Sequence, residues 1–295
     1  MTLVLTLVSK SSDVAQLAKA APGGSGDAVD RSAGGWSVAE RDVPDLKEHG
    51  GADLVSWLEA ETRAAGADWA ITPKANRKKR LLISDMDSTI IGQECIDELA
   101  DFAGLKAEIS AITERAMRGE LDFAGALTQR VAMLKGLKLS AVEACYAERV
   151  RLNPGAKELV ATMKANGARS VLVSGGFGYF TSRVAKLAGF DADRANTLID
   201  DGAVLTGTVG MPILGREAKL TALLEETAAL GATADDAVAL GDGANDLDMI
   251  KAAGLGIAYH AKPIVAAQTT ARIEHTDLRA ALLFQGYGVA EFVAA

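Results

Sequence analysis

Three short apolar runs, Leu81-Leu-Ile-Ser84, Ser170-Val-Leu-Val-Ser174 and Ala237-Val-Ala-Leu240, each give way at once to Asp or Gly. Runs of this length without polar alternation, separated by helical stretches, read as parallel strands buried on both faces. Parallel strands need long crossovers, which restricts the chain to a doubly wound α/β sheet with its ligand site beyond the carboxyl ends of the strands. Helices are expected over about 94–103, 106–118, 122–135, 140–149, 155–166, 179–188, 216–230 and 245–252. The 85 residues between Ser84 and Ser170 far exceed one crossover helix. The surplus, about 92–150, reads as an inserted helical cap, placed where insertions cover active sites. Asp201-Gly202, between apolar stretches in 196–207, signals a hairpin.

Residues 1–75 read as a separate small α+β module. It has a strand at 2–8, a helix at 12–21, a strand near 36–40, a helix at 51–65 and a strand at 68–72. A Gly-rich loop region follows residue 21, and Pro73–Arg80 reads as a charged linker into the second unit, 80–295. Two units accord with 295 residues, and no internal repeat is present. Lys plus Arg number 31 and Asp plus Glu 39, a net charge of −8 that argues against nucleic-acid or anionic-membrane binding. No apolar stretch reaches the ~18 residues of a membrane span. Met1–Lys10 alternates Thr with Leu or Val and lacks a basic start, so it reads as a strand and not a signal peptide. A soluble, cytoplasmic protein is expected. Two cysteines (Cys95, Cys145) and three histidines are too few for a disulfide scaffold or a Cys/His zinc site. Neither cysteine suggests a role, and His260 reads as structural or solvated.

The strand ends carry the chemistry. Asp85 and Asp87 follow the first run; residues i and i+2 of an extended segment face the same way, so their carboxylates converge. A lone D-x-D is more often a solvated turn. Here Ser174-Gly-Gly follows the second run, Lys219 lies in the next helical region, and Gly241-Asp-Gly-Ala-Asn-Asp246 follows the third. Asp85, Asp87 and Asp242 form an oxygen-rich set suited to Mg²⁺. Ser174 and the amides of Gly175 and Gly176 can hold phosphate oxygens, and Lys219 adds a compact positive charge. Asn245 and Asp246 come three and four residues after Asp242, close to one face of a starting helix. Together these features point to phosphoryl transfer.

The order D-x-D-S-T, S-G-G, a lone Lys and G-D-G-x-N-D resembles the motif set of the haloacid dehalogenase superfamily of phosphatases. More narrowly, Asp85–Glu98, Ala116–Phe123 and Gln129–Leu134 are similar to the phosphoserine phosphatases of that superfamily. The resemblance covers about 80–290, and residues 1–75 match an ACT-like module only loosely. It implies Mg²⁺-dependent hydrolysis of O-phospho-L-serine, the last step of L-serine biosynthesis, through an aspartyl-phosphate. Asp85 is then the nucleophile, Asp87 the general acid and base, and Asp85, the Asp87 backbone carbonyl and Asp242 the metal ligands. Ser174, Gly175, Lys219 and Asn245 hold substrate, and Asp246 orients Lys219 or a metal-bound water. Glu94 and Arg130 are matched to the ammonium and carboxylate of the substrate. Met117 and Phe123 either wall the pocket or pack the cap core. Phosphothreonine and phosphohomoserine are alternative substrates, and a phospho-accepting signalling receiver is the alternative of another class. For the amino-terminal module, serine sensing, dimerisation into a homodimer and a structural role are all open.

Overall fold

A computed structural model describes residues 2–45, 51–117 and 120–294, without the side chains of Glu114, Ala116 and Met117. The strands are β1 Leu3–Ser9, β2 Ser25–Asp30, β3 Ser37–Val43, β4 Ala67–Pro73, β5 Leu81–Ser84, β6 Arg169–Phe177, β7 Ala192–Asn196, β8 Leu198–Asp200, β9 Leu205–Val209, β10 Ala237–Gly241, β11 Leu255–Tyr259 and β12 Ala271–Ile273. The helices are α1 Ala15–Ala20, α2 Gly51–Ala65, α3 Cys95–Phe102, α4 Lys106–Met117, α5 Phe123–Met133, α6 Leu139–Arg149, α7 Ala156–Ala165, α8 Gly178–Ala188, α9 Arg216–Ala229, α10 Leu247–Ala252, α11 Pro263–Ala266 and α12 Ala280–Phe284. Ten strands form one sheet in the order β2-β3-β1-β4-β12-β11-β10-β5-β6-β7. The half from β12 to β7 is parallel, as the apolar runs require.

Successive residues of the central strands feed two different cores. Leu82, Leu172, Val238 and Leu240 pack into the layer that contains Leu159, Val160, Phe180 and Val184 of α7 and α8. Leu81, Ile83, Val171, Val173, Ala237 and Ala239 pack into the opposite layer with Leu223 of α9 and Met249 and Ile250 of α10. Both faces of the strands are therefore covered, and their middles, 81–83, 171–173 and 237–240, are wholly apolar. The four helices α3–α6 lie between β5 and α7 in sequence. The β8–β9 hairpin turns through Asp201–Val204, with Gly202 at φ +90°, and Val204 bridges to Lys138 next to α6.

The amino-terminal strands extend the same sheet. β4 runs antiparallel to β12 with Ala70 opposite Ala271 and Trp69 opposite Arg272. One face of β1, β3 and β4 carries its own core of Leu5, Leu7, Trp69 and Ile71 against Leu54 and Leu58 of α2. From the other face Val8, Val38 and Ala70 join the large core that includes α12. The segment read as a charged linker departs from that expectation. Lys79 is 6% exposed, and its Nζ donates to Asn76 O at 2.8 Å and Asp235 O at 2.7 Å. Arg77 donates to Thr6 Oγ1 and Phe284 O and pairs with Glu40. Long basic side chains here satisfy backbone carbonyls at a seam instead of facing water.

A second tie across the seam is Asp277, whose buried carboxylate accepts from Lys10, from Arg279 Nε at 2.9 Å and from Arg279 Nη2 at 2.7 Å. Burial pushes this carboxyl up, but the hydrogen bonds from Arg279 and Lys10 outweigh it and hold it below the ordinary range. A carboxylate with a depressed folded-state pKa adds stability that is complete above about pH 4 and is lost as pH falls through the folded value. Thermal melts between about pH 6 and about pH 3 should therefore show Asp277→Asn starting lower than the wild type and losing less on acidification. Parallel curves would remove Asp277 from the account. Among the described residues no helix is long and apolar enough to cross a membrane.

Candidate active site

The first acid sits where β5 ends. Asp85 N–H donates to Leu240 O at 3.0 Å, which ties the turn to β10. Asp85 Oδ1 accepts from Met86 N–H at 2.8 Å and lies 2.7 Å from Lys219 Nζ. Asp87 and Ser88 break the following turn: Asp87 is extended, and Ser88 is left-handed at φ +54°. This geometry turns Asp87 to a second strand end. Its Oδ2 accepts from Ser174 Oγ at 3.2 Å, and Oδ1 accepts from the Cys95 N–H at 2.9 Å. Ser174 Oγ in turn accepts from Gly176 N–H at 2.9 Å. A Cβ at Gly176 would stand 2.9 Å from Asp87 Oδ2, so a side chain there would press on that carboxylate. Burial, then the nearby Glu94, raise the Asp87 carboxyl to about 6.

Behind these groups is a buried charge cluster. Lys219 on α9 is 2% exposed and reaches Asp246 Oδ1 at 2.5 Å as well as Asp85. Asp246 Oδ2 accepts from Gly243 N–H at 3.0 Å. Burial opposes the charge on Lys219, but Asp85 and Asp246 outweigh it and raise its pKa. Carboxylate oxygens of Asp85, Asp242 and Asp246 all lie within 4.8 Å of one another, and all three residues are buried. Burial, then repulsion from Asp246, raise Asp85 well above the ordinary range and Asp242 to about 6. Three buried acids whose oxygens converge, with no nitrogen or sulfur donor among them, fit a hard divalent cation such as Mg²⁺.

A cavity of about 130 Å³ opens above the cluster. Asp85, Asp87, Gly175, Gly176, Phe177, Asp242 and Asn245 line it from the sheet side. Glu94, Ile96, Phe123, Leu127 and Arg130 line it from α3 and α5 or the turn before α3. Glu94 Oε1 accepts from Ser88 Oγ at 2.7 Å, and Arg130 Nε donates to Ala126 O at 3.3 Å. Burial pushes the Arg130 guanidinium pKa down, against the attraction of Asp97 and Glu94. Phe123 closes one side, with its ring against Gly175 and Gly215. Ser174, Lys219 and Asp246 stand just behind these residues: Ser174 Oγ bonds Asp87, and Lys219 bonds Asp85 and Asp246, the partner expected to orient it. The Met117 side chain lies outside the described residues.

A sequence profile of haloacid dehalogenase-like hydrolases matches residues 82–251, more than half of the chain. The chain belongs to the haloacid dehalogenase-like hydrolases. It is 48% identical over 204 residues to the phosphoserine phosphatase of Polaromonas sp., an alignment covering 68% of this chain and 86% of that protein. A haloacid dehalogenase family hydrolase from Salmonella enterica serovar Typhi superposes with a TM-score of 0.86 at 29% identity, covering 96% of this chain and 98% of the other. The probable phosphoserine phosphatase of Vibrio cholerae gives 0.78 at 30% identity, covering 98% and 88%. Coverage this wide takes in strands ahead of residue 82. The receiver alternative falls with the family match.

Two features of the hydrolase site escape a reading of motifs. The third carboxylate of the cluster is Asp246, four residues after Asp242 at the end of a short 3₁₀ turn, to which the resemblance gives only a supporting role. Lys262 also lines the cavity, with Nζ 3.8 Å from Asp242 Oδ2. Its signal was Lys262-Pro263 following an apolar run, a strand end opening into a short helix with proline first. Cys95 participates through its backbone N–H, while its buried thiol has a pKa raised by burial and then by Asp87.

Proposed function

We propose that this hydrolase converts O-phospho-L-serine to L-serine and phosphate, the closing step of L-serine synthesis, through an aspartyl-phosphate on Asp85. The observation that carries the reading is one cavity holding Asp85 and Asp87 on its sheet side and Glu94 with Arg130 on its helical side. Asp85 Oδ attacks phosphorus as the bond to the serine oxygen breaks. Asp87, with a carboxyl raised to about 6, donates its proton to that oxygen. Asp87 then takes a proton from the water that attacks phosphorus, and the Asp85–phosphorus bond breaks to free phosphate. Ser174, the Gly175 amide, Asn245 and Lys219 serve the phosphoryl oxygens, and Asp246 fixes Lys219. Mg²⁺, held by Asp85, Asp242 and the Asp87 backbone carbonyl, would when bound offset the repulsion between carboxylate and phosphate.

Glu94 pairs with the substrate ammonium and Arg130 with its carboxylate, while Phe123 shields the reacting centre from water. These two contacts discriminate an amino-acid phosphate from a plain ester. Arg130→Ala and Glu94→Gln should each lower kcat/KM on O-phosphoserine about 100-fold, the scale of one lost desolvated charge contact. On p-nitrophenyl phosphate, which lacks both groups, the change should stay within about threefold. Equal losses on the two esters would sink the substrate assignment and leave the phosphatase chemistry standing.

A further inference from the structure

We propose that Lys262 is the recruiting cation of this site, drawing the anionic phosphomonoester to the cavity mouth before the ester meets the groups that react. The inference rests on the phosphatase reading above and deepens it. The cavity is lined by four carboxylates, Asp85, Asp87, Glu94 and Asp242, against two cations, Arg130 and Lys262. With Asp85 and Asp242 offset by bound Mg²⁺ and Asp87 holding its proton, the wall gives a doubly charged phosphate monoester little net attraction from a distance. Lys219 gives little help at a distance, because it is buried and held between Asp85 and Asp246. Arg130 is half-buried inside the cap. Among the described lining residues, Lys262 is the cation that faces water, with 56% of its side chain exposed.

Its root is fixed, and its tip, mostly exposed, pairs at long range with Asp242. The Lys262 N–H donates to Asp242 O at 3.0 Å, and its C=O accepts from Val265 N–H at 2.8 Å and Ala266 N–H at 3.1 Å. Pro263 follows in the first position of α11. The ammonium lies 3.8 Å from Asp242 Oδ2, beyond hydrogen-bond length, and the four-carbon stem gives it reach across the mouth. A cation placed so acts on encounter, and it acts most strongly where screening is weak. The competing role, shielding Asp242 as part of the structure, would instead alter turnover or melting.

The test compares wild type, Lys262→Gln and Lys262→Arg in the full chain with Mg²⁺, on O-phosphoserine and p-nitrophenyl phosphate. Ionic strength runs from about 0.01 M to about 0.15 M, over which the screening length falls from about 30 Å to about 8 Å. Lys262→Gln should lower kcat/KM about fivefold at the low end, keep kcat within about twofold and melt as wild type does. Its deficit should shrink as salt rises, and Lys262→Arg should recover the wild-type salt slope. A fall in kcat equal to the fall in kcat/KM, or a deficit independent of salt, would overturn the proposal. If only p-nitrophenyl phosphate is turned over, the phosphoserine reading fails and Lys262 is judged on that ester by the same criteria. Turnover of neither ester overturns both.

Discussion

Asp85→Asn is expected to lose at least about 10⁴-fold in turnover while melting no lower than the wild type. The first half follows from the nucleophilic role proposed for Asp85, since an amide offers no anionic oxygen to attack phosphorus. The second half follows from where the residue sits. Asp85 is 5% exposed, and burial is the main reason that its carboxyl is raised well above the ordinary range. Replacing a buried acid that resists ionisation with a neutral isostere relieves the fold. The amide oxygen can still accept from the Met86 N–H, and Lys219 keeps Asp246. Phosphate release and a thermal melt on the same sample separate the two effects. Residual turnover within about tenfold of wild type would show that another group attacks phosphorus.

Asp68→Ala should produce the opposite pattern, a large loss of stability with turnover per folded molecule preserved. Asp68 is 1% exposed, in β4, where the amino-terminal strands meet the hydrolase sheet. Its Oδ1 accepts from Glu274 N–H at 2.7 Å and His275 N–H at 2.8 Å. Its Oδ2 accepts from Thr276 N–H at 2.9 Å and Thr276 Oγ1 at 2.5 Å. Truncation strands three backbone donors, each costing about 1–3 kcal/mol when left unpaired, so a loss of about 4 kcal/mol is expected. In a chain of this size that lowers Tm by roughly 10 °C. Asp68→Asn keeps an acceptor and should fall between. An Asp68→Ala melt within about 2 °C of wild type would show that the loop after β12 does not depend on this carboxylate.

What the sequence disclosed follows from physical locality. β5, β6 and β10 were readable because burial on both faces leaves uninterrupted apolar runs. β2 was not, since Ser25–Asp30 is an exposed polar edge whose Gly and Asp read as loop. β12 has three residues, too few for any period. The single sheet was hidden because Ala70 pairs with Ala271, and no local pattern encodes so distant a partner. Within the site, Asp85, Asp87, Ser174, Lys219 and Asp242 stood out through motif spacing at strand ends. Glu94 and Arg130 were visible only through resemblance, because a Glu before a helix and an Arg within one have ordinary structural uses. The Ser88 hydroxyl that fixes Glu94 depends on a left-handed turn, which a D-x-D-S-T string does not announce.

The most direct measurement of the central claim is phosphate release by the purified chain from O-phospho-L-serine, with and without Mg²⁺, beside O-phosphothreonine and p-nitrophenyl phosphate. The account predicts saturable, Mg²⁺-dependent release with kcat/KM highest for O-phosphoserine. Absence of release from O-phosphoserine, or equal kcat/KM on all three esters, would contradict it.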